Sequence, residues 1–143
     1  MFPLVVVDTN VVVAGLLTVR ADSPVARVLD GMLAAAFPFA VSEALLAEYG
    51  AVLRRPSPRK AHGLTPNELD VIVVELAQHG IVLAPVPAPP APEPGDQHLW
   101  ELLAARAELV LITGDRLSQR DRAMGPRILS PATFVERWLS SRP

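Results

Sequence analysis

The chain has 143 residues, a length that suits one domain with a substantial hydrophobic core. Half of the residues are hydrophobic and a fifth are charged, which is ordinary for a globular protein and excludes disorder of the whole chain. The formal net charge is −2, so any nucleic-acid partner must be held by local basic patches or through metal ions.

The sequence contains no cysteine, which excludes a disulfide framework, a thiolate metal site and a cysteine nucleophile. The chain opens on a strand-like apolar run, and no apolar run reaches the roughly 18 to 20 residues of a membrane span. We therefore expect a soluble cytoplasmic protein that has no signal peptide and no membrane partner.

The first apolar segment ends in polar residues. Leu4–Val7 is apolar without alternation, the pattern of a strand covered on both faces in a parallel sheet, and Asp8 follows it directly. Because ligands bind outside the carboxyl ends of strands in open α/β sheets, Asp8 is well placed for chemistry. The alternative is that Asp8 only caps the helix predicted at Asn10–Leu17, since aspartate is a favoured N-cap residue.

The middle of the chain alternates helices and strands. Serine followed by proline predicts a helix from Pro24 to about Ala36, and a short apolar strand follows at Phe37–Val41. Ser42 then predicts the cap of a third helix, Glu43–Arg55.

Prolines separate the next elements. They predict a loop at Arg54–Gly63, after which a capping box with proline at the first helical position predicts a helix from Thr65 to about His79. The third predicted strand is Ile81–Pro85, and the proline-rich stretch that ends at Pro94 predicts a stiff extended connector.

The last third of the chain continues the alternation, which as a whole predicts an α/β fold with a parallel sheet of four or five strands. The remaining predicted elements are the helix Gly95–Ala107, the strand Leu109–Thr113, the loop Gly114–Pro126, the strand Arg127–Leu129 and a helix capped by Ser130.

Acidic residues occur at four informative positions. Asp115 follows a strand as Asp8 does, although aspartate after glycine is also a common turn residue. Glu48 borders the apolar stripe of the third helix, where it either serves a site or only snorkels to solvent or pairs with an arginine. Asp96 opens the helix after the connector, where capping and catalysis are both open.

If these acids meet, they need cations, because like charges in one cleft repel. Mg²⁺ takes oxygen ligands and usually rests on a few carboxylates together with substrate phosphate. One or two such ions would activate a water and stabilise the leaving oxygen of a phosphodiester.

Basic residues flank two of the acids in the sequence, and they either hold RNA phosphates or are scattered loop charges. Those after Glu48 are Arg54, Arg55, Arg59 and Lys60, and those after Asp115 are Arg116, Arg120, Arg122 and Arg127. The histidines show no ligand spacing, and we assign no metal role to His62, His79 or His98.

Several motifs, in this order and spacing, resemble the PIN-domain family, in particular its toxin components of toxin-antitoxin pairs. The likeness covers nearly the whole chain. The motifs are Asp8-Thr9-Asn10-Val11 after a strand, Ser42–Pro56 with Glu48, Glu93-Pro94-Gly95-Asp96, Thr113-Gly114-Asp115 and the ending Ile128–Phe134.

The resemblance implies a single domain over residues 1–143, built as a three-layer α/β/α sandwich around a mostly parallel sheet. It implies an endoribonuclease that depends on Mg²⁺ or Mn²⁺, is inhibited by a cognate antitoxin and is often a homodimer. Matched position by position, the acidic metal-binding quartet is Asp8, Glu48, Asp96 and Asp115, and the supporting polar positions are Asn10 and Thr113.

Two departures from the family pattern motivate an alternative, a catalytically weak PIN-like module that binds RNA or protein. Family members often carry Asp-Pro-Asp-Asp where this chain has Glu93-Pro94-Gly95-Asp96, and Leu117 replaces a frequent further aspartate. Another α/β enzyme, such as a phosphatase or a receiver-type domain, also places aspartate after the first strand. An aspartate-nucleophile phosphatase requires a second aspartate at position 10, which is asparagine.

Overall fold

The computed structural model describes residues 2–115, 118, 120–122 and 124–139. No helix in these ranges is both long enough and apolar enough to span a bilayer. The strands are β1 (Val5–Val7), β2 (Ala40–Val41), β3 (Ile81–Val82), β4 (Val110–Ile112) and β5 (Ile128–Leu129). The α-helices are α1 (Thr9–Leu17), α2 (Pro24–Leu33), α3 (Glu43–Leu53), α4 (Pro56–His62), α5 (Pro66–His79), α6 (Gln97–Ala104) and α7 (Pro131–Phe134).

All strand pairings are parallel, which confirms the predicted α/β fold with a mostly parallel sheet. β4 pairs with β1 and β5, and β2 pairs with β3. A parallel bridge between Val5 and Phe39 joins the two sets, so the strands follow the order β3-β2-β1-β4-β5. The chain adds strands on one side of β1 first and on the other side afterwards, and such a reversal opens a crevice outside the strand ends.

The core confirms the prediction that the first strand is covered on both faces. Val5, Val6 and Val7 are fully buried in one cluster with the apolar residues of β4 and the neighbouring helices. Because β1 is central in the sheet and fully buried, it fixes the position of whatever residue follows its last valine.

The structure corrects the predicted loop at Arg54–Gly63, which contains α4. Pro56 is the first residue of this helix and Pro58 the third, and neither position requires a backbone N–H within the helix. Gly63 ends α4 with a positive φ of 67°, a conformation that favours glycine. The prolines therefore start a helix instead of preventing one.

Several predicted boundaries were too long. α2 ends at Leu33 instead of Ala36, because Ala35 turns into the left-handed region with a φ of 53° and the Ala36 N–H donates to the Gly31 carbonyl. The second strand shortens to Ala40–Val41, since Pro38 has no N–H for strand pairing.

The later elements also differ from prediction at their ends. The third strand stops at Val82, and the helix predicted at Gly95–Ala107 is a 3₁₀ turn at Pro94–Asp96 followed by α6. A second 3₁₀ turn, Gly125–Arg127, replaces part of the predicted loop and of the last strand. Helix α7 continues as a π-helical turn at Val135–Leu139.

Tyr49 fastens α3 to the end of β1. Its side chain is fully buried, and its hydroxyl donates a hydrogen bond of 2.5 Å to the carbonyl oxygen of Val7, the residue before Asp8. Burial raises the pKa of Tyr49 well above its usual range, with a smaller effect of the Asp8 and Glu48 charges, so the phenol stays protonated as a donor. This contact sets the helix that carries Glu48 against the strand that carries Asp8.

We predict that Tyr49→Phe lowers the free energy of unfolding by about 1–3 kcal/mol, because it removes the donor to a buried carbonyl and keeps the ring. Urea unfolding of both proteins measures the difference. Val19→Ala is the control, since Val19 is 99% exposed and its truncation should change nothing. A Tyr49→Phe variant as stable as the wild type would show that the hydrogen bond does not hold α3 in place.

Candidate active site

The predicted acids lie together at the carboxyl end of the sheet. Asp8 follows β1, Asp115 follows β4 by three residues, Glu48 lies on α3 and Asp96 precedes α6. All four line one open cavity of about 610 Å³. The structure thus places the four acids in the common cleft that the sequence predicted.

Asp8 is buried, and its carboxylate is held by side chains of the site. Although Asp8 occupies the N-cap position of α1, its side chain does not cap the helix. Instead, Thr113 Oγ1 donates to Asp8 Oδ2 at 2.7 Å and Asn10 Nδ2 donates at 3.4 Å. Burial raises the pKa of Asp8, and the hydrogen bond from Thr113 opposes that shift. The alternative that Asp8 serves only as a helix cap is therefore wrong.

Thr113 and Asn10 connect the ends of β1 and β4. Thr113 is fully buried, and its Oγ1 accepts the backbone N–H of Asp115 at 3.0 Å while donating to Asp8. Asn10 Oδ1 accepts the backbone N–H of Gly114 at 3.5 Å. The side chains of Asn10 and Thr113 thus lie between Asp8 and Asp115 and connect the two strand ends.

Glu48 is held at both of its carboxylate oxygens. Thr9 Oγ1 donates to Oε1, and His98 Nε2 lies 3.1 Å from Oε2. A carboxylate only accepts, so the second contact requires His98 Nε2 to carry a hydrogen. The alternative that Glu48 only pairs with an arginine is wrong, because threonine and histidine contact this carboxylate.

Asp96 is the acid whose ionisation the cluster opposes most clearly. Burial raises the pKa of Asp96 to about 6, and the charges of Asp8, Asp115 and Glu48 add to the shift while His98 opposes it. Its side chain makes no capping hydrogen bond, although it occupies the N-cap position of α6. Its surroundings therefore already carry more negative charge than the protein compensates.

Three contacting residues were missed in the sequence, namely Thr9, His98 and Ser118. Ser118 is buried, and its hydroxyl donates to Asp115 Oδ2 at 3.1 Å. No role was predicted for His98, because the three histidines show no ligand spacing in the sequence. Its position two residues after Asp96, in the first turn of the same helix, was the available signal.

The donor set of the cavity fits a hard divalent cation. Carboxylates are the oxygen ligands that Mg²⁺ and Mn²⁺ prefer, and a cation would offset the repulsion that raises the pKa of Asp96. Within the ranges that the structure describes, no three His, Asp or Glu side chains lie at the spacing of a metal site. The cavity is thus an acidic cluster with suitable chemistry.

The basic residues after α3 line two cavities. Arg55 lines the acidic cavity itself, whereas Arg59 and Lys60 line a neighbouring open cavity of about 590 Å³. Arg54 lines the neighbouring cavity as well, and its guanidinium forms an ion pair with Asp70.

The basic residues after Asp115 differ from one another in their surroundings. Arg127 is a structural residue, because its guanidinium donates to the carbonyl oxygens of Leu109 at 3.0 Å and Leu103 at 2.7 Å. Of the two alternatives that the sequence left open for Arg127, phosphate contact and a scattered loop charge, neither describes this network of backbone carbonyls. Arg120 and Arg122 are exposed, and Arg116 lies outside the described residues.

One comparison with known proteins identified a relationship. A family model described as "PIN domain" matches residues 4–117, which is most of the chain and includes all four acids of the cavity. Searches of curated proteins and of solved structures found no match.

We predict that the metal-free protein becomes less stable as pH rises from about 4 to 7. The pKa of Asp96 is raised to about 6, so the folded state keeps a proton that the unfolded chain has already lost, and stability falls through this interval. Asp96→Asn should reduce the fall by about 1 kcal/mol, a value discounted because the group is partly exposed to screening solvent.

Urea unfolding in EDTA at pH 4.5 and pH 7.5 measures this difference. Glu43→Gln is the matched control, because Glu43 is an exposed acid on α3 outside the acidic cavity. Parallel pH profiles for the wild type and Asp96→Asn would contradict the predicted repulsion.

Proposed function

Because the chain belongs to the PIN-domain family, we propose that it is an endoribonuclease that uses Mg²⁺ or Mn²⁺ to hydrolyse RNA phosphodiester bonds. PIN domains are generally nucleases that use divalent metals, which gives the reaction class. The observation that carries the proposal is the convergence of Asp8, Glu48, Asp96 and Asp115 on one cavity at the carboxyl end of the sheet. Four carboxylates gathered in one cleft repel one another, and a bound cation would offset that repulsion.

We assign the metal-binding role to the four acids, with Asp8 as the central ligand. A bound divalent ion would supply an activated water and would neutralise charge on the scissile phosphate. The protein's own contribution is orientation. Thr113 and Asn10 fix the Asp8 carboxylate, Ser118 fixes Asp115, and Thr9 with His98 fixes Glu48.

The biological setting is a further part of the proposal. We infer that the protein is the toxin of a toxin-antitoxin pair, that a cognate antitoxin inhibits it, and that it acts in the cytoplasm as a homodimer. The support for this setting is the resemblance of its motifs to those of PIN-family toxins, from Asp8-Thr9-Asn10 to Thr113-Gly114-Asp115.

A second candidate function is a PIN-like module that binds RNA or protein and cuts poorly. Two observations favour it, namely the absence of three ligand groups at metal spacing within the described residues and the glycine at position 95. Leu117, the other departure from the family pattern, lies outside the described residues. A purified protein that binds RNA but does not cut it across a Mg²⁺ and Mn²⁺ titration would favour this module.

Asp8→Asn should lower metal-dependent RNA cleavage by roughly 100-fold or more, because it removes a central ligand charge. The fold should survive, which circular dichroism and urea unfolding check. Glu43→Gln again serves as the control and should cut like the wild type. Undiminished cleavage by Asp8→Asn would refute the proposed site.

Thr9→Val should raise the Mn²⁺ concentration for half-maximal cleavage by about 10-fold, because the Glu48 carboxylate loses the hydroxyl that orients it. Valine has nearly the same volume, so activity at saturating Mn²⁺ should fall less than activity at low Mn²⁺. Thr18→Val, at the far end of α1, is the control. An unchanged Mn²⁺ dependence would show that Thr9 does not position Glu48.

A further inference from the structure

We infer that α4 carries a phosphate track, which leads the backbone of a single-stranded RNA to the acidic cavity. The track consists of Arg55, Arg59 and Lys60 and is called the α4 track below. This inference rests on the proposed function, since it assigns a path to the RNA that the acidic cavity would cut.

The segment that contains α4 concentrates positive charge. The segment from Arg54 to Leu64 carries four Arg or Lys residues and no acid, in a chain whose net charge is −2. A polyanion approaching a net acidic protein is held where positive charge is concentrated. The acidic cavity itself repels phosphate, so a cationic element beside it is needed to bring RNA there.

Helix α4 lies beside the acidic cavity. α4 packs against α1 and α3, the helices that begin after Asp8 and contain Glu48. Arg55, at the N-cap of α4, lines the acidic cavity together with those two acids. Arg59 follows four residues later, a rise of about 6 Å along a helix, and lines the neighbouring cavity with Lys60. The cations therefore extend outward from the acidic cavity.

The cations of the α4 track differ from Arg54 in their ion pairing. Arg54 is paired with Asp70, whereas no ion pair within the described part of the chain involves Arg55, Arg59 or Lys60. All three are exposed. The alternative basic group lacks this property at Arg127, whose guanidinium is bound by backbone carbonyls. The α4 track therefore keeps cations free for phosphate.

The linings of the two cavities also indicate how the RNA is recognised. No aromatic side chain is among the described residues that line either cavity, so no platform for base stacking is present there. Contacts to phosphates carry no sequence information by themselves. Binding along the α4 track should therefore be strongly salt-dependent and nearly independent of base sequence.

The test is a salt titration of RNA binding in EDTA, so that no metal-dependent cleavage occurs. A fluorescein-labelled single-stranded RNA of about 20 nucleotides, a length chosen to extend past both cavities, is titrated with protein at several NaCl concentrations. Each lost phosphate contact should reduce the slope of log K against log [NaCl] by about 0.7. Arg59→Gln combined with Lys60→Gln should therefore reduce the slope by about 1.4.

The control removes the same charge elsewhere. Arg20→Gln combined with Arg106→Gln neutralises two exposed cations that are paired with acids and lie outside both cavities. This control should keep the wild-type slope. An unchanged slope in the α4 double variant, or an equal reduction in both double variants, would overturn the α4 track. Urea unfolding confirms that each variant is folded.

The result is separable from the proposed function, because binding in EDTA requires no cleavage. If the α4 double variant binds as tightly as the wild type while the wild type cuts RNA, the track is wrong and the endoribonuclease stands. If the slope of the α4 double variant falls as predicted while the Asp8→Asn protein cuts RNA normally, the track stands and the assigned metal site is wrong.

Discussion

The arrangement of the acids depends on the hydrogen bonds of the Thr113 hydroxyl. It donates to the carboxylate of Asp8 and accepts the backbone N–H of Asp115, so one buried side chain sets the ends of β1 and β4 relative to each other. These strands are neighbours at the point where the strand order reverses, and a crevice opens there for general topological reasons. Tyr49 makes the corresponding connection from α3 through the carbonyl of Val7. Rigid, buried elements thus position acids that would otherwise move apart.

The second constraint is the repulsion among those acids. Burial and neighbouring carboxylates raise the pKa of Asp96 to about 6, and burial raises the pKa of Asp8. A protein selected only for stability would replace such groups, because a well-packed neutral residue avoids the repulsion. Their retention in one cleft is understandable if the cleft binds cations. The protein itself supplies His98 as a polar partner of Glu48. The basic α4 beside the cleft agrees with this interpretation, since in the proposed function it would attract the polyanion that the acids repel.

The sequence predicted the sheet, the helices and the clustering of the acids for identifiable reasons. Val5–Val7 is uniformly apolar because it is buried on both faces, and Thr65 with Glu68 forms the predicted capping box. It failed at α4, because prolines in a first helical turn look like loop residues unless the following glycine is recognised as a C-cap. It also missed the partner of Glu48, since the contact with His98 spans 50 residues and no local periodicity reports such a pair. The role of Arg127 stayed open, because its charge is visible in the sequence whereas the carbonyls that bind it are not.

The central claim is that Asp8, Asp96 and Asp115 belong to one divalent-metal site. A crystal structure determined with Mn²⁺, with the ion located by its anomalous scattering, tests this claim most directly. We expect an ion within coordination distance of these carboxylates, with Glu48 bound directly or through a water. An ion bound only elsewhere, or carboxylates that stay too far apart to share one at saturating Mn²⁺, would contradict it.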